Sequence, residues 1–107
     1  MIDWNKAQQL AGEVGSDRFE EVAVLSLQAI EIALQTIGMA EDLEAALHFV
    51  KRCALNLGFA AFATRVAEAE HLAALGRPDE VDLIGLGRVY RESRDLFLTE
   101  FRGRIAA

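Results

Sequence analysis

Apolar residues recur along this chain every three to four positions. No stretch alternates apolar and polar residues with period two for long enough to make a strand. Glycines and acidic capping residues divide the pattern into five helical stretches. The first runs from about Trp4 to Val14, with Asp3 as its N-cap and Gly15 as its stop. Asp17-Arg18-Phe19-Glu20 has the spacing of a capping box and opens the second. Phe19, Val22, Ala23, Ser26, Ile30, Ala33, Leu34 and Ile37 mark its core face.

The break at Gly38-Met39-Ala40 leads to a third helix, about Glu41 to Leu57, with Leu43, Leu47, Val50, Ala54 and Leu57 as its stripe. A tight turn at Gly58 gives the fourth, about Phe59 to Leu75, where Phe62, Val66, Ala69 and Ala73 face inward. Gly76-Arg77-Pro78 ends it, because proline suits a helix start and not an interior. The fifth runs from about Asp79 to Phe101. Leu83, Leu86, Tyr90, Phe97 and Phe101 form its buried side, and Gly85 and Gly87 weaken its first half.

Loops this short make consecutive helices antiparallel neighbours. The expected fold is therefore all-α: an up-down-up-down four-helix bundle of the second to fifth helices, with the short first helix packed on it. Leu25 and Ile32, seven apart, form a second apolar line on the second helix. The first helix is expected to cover them; otherwise they make an exposed patch for a partner.

Composition narrows the setting. A chain of 107 residues is one domain, large enough to build a core without staples. Acidic residues outnumber basic ones by 17 to 11, which disfavours a nucleic-acid partner. The single cysteine, Cys53, excludes an internal disulfide and fits a reducing compartment. The start Met-Ile-Asp-Trp-Asn-Lys lacks a signal peptide's pattern. The nearly apolar run Cys53 to Ala63 is too short to span a bilayer. A cytoplasmic protein, not a membrane one, is expected.

The chemistry centres on His48. It follows the core position Leu47 and so lies about 100° round the helix from it, partly exposed. Glu44 stands one turn before it, Lys51 and Arg52 one turn after, and Leu55 two turns after, so the five make one strip. A nucleophilic ring nitrogen beside fixed positive charge suits a phosphoryl acceptor. An antiparallel second helix brings Gln28, Glu31 or Ile32 level with it; the fourth brings Arg65, Glu68 or Ala69.

The segment from Leu47 to Gly58 resembles the signature of histidine phosphotransfer (HPt) domains, in which His-x-x-Lys is followed by Gly, then Ser or Ala, and later Gly. His48, Lys51 and Gly58 match, while Arg52 and Cys53 stand where the family has the small pair. Length and helix order extend the resemblance over essentially the whole chain. It implies a phosphocarrier that takes a phosphoryl group from an aspartyl phosphate onto His48 and passes it to another aspartate. The implied partners are response regulator receiver domains or a hybrid histidine kinase. They supply the aspartate and the magnesium ion, so this chain needs no cofactor.

Within that chemistry Lys51 stabilises phosphoryl charge and Glu44 steadies the second ring nitrogen. Gln28, Ile32 and Leu55 are the docking positions. A histidine side chain ordinarily titrates near pH ~6.5, so neutral imidazole is abundant at pH 7. Arg52 either obstructs the approach of a receiver loop, swings aside, or forks onto phosphoryl oxygens. The obstructed case is a helical docking module without phosphotransfer. No Gly-rich phosphate loop followed by Lys and Ser or Thr is present, so ATP-dependent kinase activity is not expected. Glu68-Ala69-Glu70-His71 contains the Glu-x-x-His half of a carboxylate-bridged metal site. It lacks a second such pair, so His71 reads as an exposed residue. Arg91 and Arg94 read as a solvated face.

Overall fold

The five helices begin largely where short acidic side chains catch free backbone N–H groups. The computed structural model describes residues 1–105. Asp3 accepts a hydrogen bond from the Lys6 N–H at 3.2 Å and starts α1, Trp4–Val14. Asp42 accepts from Ala45 at 3.0 Å and starts α3, Leu43–Leu57. Asp82 accepts from Gly85 at 2.9 Å and starts α5, Leu83–Arg104. Each satisfies a donor that the helix itself leaves without a partner. α2, Phe19–Thr36, and α4, Ala60–Ala74, have no side-chain cap.

Three sequence expectations change here. Asp17 does not cap α2; the chain enters through a turn in which the Arg18 N–H bonds the Gly15 carbonyl. The third helix starts at Leu43 and not near Glu41, because Asp42 holds the cap. The fifth starts at Leu83, because Pro78–Glu80 forms a separate 3-10 turn and Asp82 then caps α5. A second 3-10 turn, Ile37–Met39, extends α2. All other structure among the described residues is turn or coil, with no strand.

One core runs through the molecule. α2 contributes Phe19, Ala23, Leu27 and Ile30, and α3 contributes Leu47, Val50, Ala54 and Leu57. Phe62, Ala63, Val66 and Ala69 come from α4, and Leu86, Tyr90, Phe97 and Phe101 from α5. Leu27 lies off the expected stripe. It is buried because α2 touches both α3 and α5, and its carbonyl lies 3.2 Å from the Tyr90 hydroxyl. At one end Phe97 stacks on Trp4 and Phe101 and meets Phe59 edge-on, with ring centroids 5.4–5.6 Å apart. Such ring pairs add to the area they bury. Ser93 is fully buried among these residues, and its hydroxyl has no hydrogen-bond partner among the described residues.

α1 packs on α3 and on the start of α2 through Ala7 and Ala11. It does not cover Leu25 and Ile32, which are 58% and 63% exposed. α1 instead turns Ala7 and Ala11 inward and stacks Trp4 on Phe97 of α5. The apolar line on α2 is therefore open. Phe19–Met39 is also long and apolar enough to cross a membrane by length and composition alone. Here its inner face packs against α3 and α5.

Gly58 joins α3 to α4 with φ +82°, the left-handed conformation that glycine adopts without strain. Its amide closes α3, and its carbonyl accepts from the Asp3 N–H at 2.6 Å. A Cβ here would run into the Asp3 carbonyl, so the turn needs glycine for space as well as for φ.

Candidate functional site

The turn at Gly58 sets α4 directly beside α3, and this brings Glu70 to His48. His48 lies eleven residues before Phe59, and Glu70 lies eleven after it. Residues placed symmetrically about a tight helical turn end up level. The His48 Nδ1 is 3.0 Å from Glu70 Oε2, while the imidazole stays 51% exposed. Lys51 approaches the same carboxylate from the next turn of α3, with Nζ 2.6 Å from Oε1. That contact is an ion pair on the buried oxygen of the carboxylate. Glu70 thus bridges a histidine and a lysine spaced i, i+3 on one helix.

The Lys51 ammonium holds the Glu70 carboxyl below the usual carboxylate range; partial burial opposes this, and His48 adds to it. An ionised carboxylate can only accept. In the neutral imidazole the proton therefore sits on Nδ1, and the lone pair is left on Nε2. The base is steadied by a carboxylate on one nitrogen and free on the other, the arrangement by which a second residue fixes a tautomer and a ring orientation. No partner contacts Nε2 among the described residues.

The expected strip is reproduced only in part. Glu44 is exposed one turn before His48 and makes no hydrogen bond or ion pair among the described residues, so the orienting acid is Glu70. Lys51 is next to His48 as expected, but it is tied to Glu70. Arg52 is exposed and has no ion-pair partner among the described residues. Burial pushes the neighbouring Cys53 thiol up, and the Arg52 guanidinium partly opposes that push. Gln28 and Ile32 are exposed on α2, which neighbours α3, and Leu55 is 46% exposed two turns beyond His48. Phe49, beside the imidazole in sequence, is 49% exposed and adds apolar surface.

Sequence reasoning missed Glu70 because the expected register sets Arg65, Glu68 or Ala69 opposite His48. Reflection about Phe59 instead of Gly58 would have selected it. His71 is exposed, as expected, and no cluster of three metal-ligating side chains occurs among the described residues. No protein-family model, curated protein or solved structure matches this chain.

Proposed function

We propose that this chain is an HPt-type phosphocarrier built as an antiparallel up-down-up-down bundle of α2 to α5, with α1 packed on it. The contact of His48 with Glu70, about the turn between α3 and α4, and the reversed order of Glu20–Arg102 and Glu31–Arg94, which runs α2 and α5 in opposite directions, support that arrangement. One observation carries the functional reading: a half-exposed imidazole whose Nδ1 is held by Glu70, leaving Nε2 open.

In the proposed reaction the Nε2 lone pair attacks the phosphorus of a receiver's aspartyl phosphate. The N–P bond forms as the acyl P–O bond breaks, and the aspartate leaves as a carboxylate. The ring gains positive charge, which the Glu70 carboxylate offsets through the Nδ1 proton. Phosphoryl transfer has a loose transition state, so positioning and charge account for most of the catalysis. Lys51 supplies charge by moving from Glu70 toward the phosphoryl oxygens. The magnesium ion is assigned to the receiver. Reverse transfer to a second aspartate completes the relay, in the cytoplasm, with Gln28, Ile32, Leu55 and Phe49 in contact with the partner.

Incubation with a phosphorylated receiver tests this directly. Base-stable, acid-labile phosphate is expected on His48 and is expected to be lost in His48→Gln. Equal labelling of that variant, or none with any receiver, overturns the proposal. A second reading, a docking module without transfer, is favoured by the unpaired Arg52 beside the imidazole. Arg52→Gly separates the two roles: faster transfer marks an obstruction, and slower transfer marks a phosphate ligand.

A further inference from the structure

A cavity of about 390 Å³ opens between α2 and α5, and neither His48, Lys51 nor Glu70 lines it. Its base is set by Tyr90, whose hydroxyl ties the helices by donating to Glu31 Oε2 at 2.7 Å. Above this the groove stays open at Gly87, where α5 has no side chain. A Cβ there would stand 3.3 Å from Arg91 Nη1, so the guanidinium lies across the glycine. Leu34 and Leu83, both half-buried, and Ile84, 79% exposed, provide apolar lining.

The charges lining the cavity are Glu31, Arg91 and Arg94, a net of one positive charge on a chain whose total is −6. Two of the three are committed. Glu31 accepts from Tyr90 and lies 3.7 Å from Arg94; Arg94 also pairs with Asp95, outside the cavity, at 3.1 Å. Arg91 has no ion pair among the described residues. A lone guanidinium over a glycine, flanked by aliphatic side chains, has the shape and charge to take one carboxylate in a bidentate contact. The volume falls at the small end of small-molecule sites. A dianion such as phosphate would face Glu31 across the groove.

We propose that this groove binds a small amphipathic monocarboxylate, with its carboxylate on Arg91 and its acyl chain against Leu34, Leu83 and Ile84. The site is independent of the phosphocarrier reading. The test is an NMR titration of the isotope-labelled full chain with hexanoate, compared with hexanamide and inorganic phosphate. Saturable shifts of the Leu34, Gly87 and Arg91 amides are expected, with a dissociation constant of about 1 mM or tighter. Arg91→Gln and replacement of hexanoate by hexanamide should each weaken binding about tenfold or more. Arg88→Gln, which removes an exposed cation outside the cavity, should leave it unchanged, as should His48→Gln. The proposal is overturned by absence of saturation, by equal binding of hexanamide or phosphate, or by equal loss in the Arg88 and Arg91 variants.

Discussion

Glu70 decides what His48 can do, because it fixes which nitrogen carries the proton. Replacing it by glutamine keeps the shape but lets the amide either donate or accept, so the tautomer is no longer imposed. Under the proposed phosphotransfer, Glu70→Gln is expected to slow transfer about 10- to 100-fold, the scale on which loss of a partner that orients a histidine is felt. Nitrogen NMR of the ring is expected to show a mixture of tautomers in place of the Nδ1–H form. Acid stability provides a second readout. The Glu70 carboxyl is lowered in the folded chain, so its contribution is present above the ordinary carboxylate value of about 4.3 and is lost as pH falls below it. The variant is expected to flatten that acid limb in chemical-denaturation curves taken between neutral pH and the acid range. Ser93 makes a complementary case. Its buried hydroxyl has no hydrogen-bond partner among the described residues, a desolvation cost of about 1–3 kcal/mol. Ser93→Ala is expected to raise the urea midpoint with an unchanged slope.

At the scale of elements, the turn at Gly58 matters most for the site, since it sets the register of α3 against α4. A residue with a Cβ would have to adopt a left-handed conformation and push away Asp3. Gly58→Ala is therefore expected to cost at least about 1–2 kcal/mol, read in urea unfolding, and to weaken the His48–Glu70 contact. The open line on α2 predicts the opposite. Leu25→Ser and Ile32→Ser should each change stability by no more than about 0.5 kcal/mol, while Ile32→Ser should weaken receiver binding if that face docks. Helix number and most core positions were legible in the sequence because helical period and acidic caps are local signals. The coverage of Leu25 and the partner of His48 were not. Both depend on how one helix meets another, and a shift of one residue turns a helix by about 100°. Glu44 shares a face with His48 in the sequence, yet the carboxylate that reaches the ring comes from the next helix.

Across the whole molecule, the two ends of the helical core differ in kind. The end that holds Gly58 is closed by rings from α1, α2 and α5 around Phe97, together with Phe59 from the turn. His48 sits about 15 Å away along α3, counted at 1.5 Å per residue, on a surface with little covering it. Chemistry at the imidazole can therefore proceed without disturbing the aromatic end. Trp4 is the only tryptophan in the chain, stacked on Phe97 at 5.6 Å with the Arg104 guanidinium 5.5 Å from its ring. That pairing gives the protein a built-in optical reporter of a single event. Its emission should follow detachment of the first helix or of the C-terminal turn, and remain silent through the phosphoryl loading of His48 proposed above.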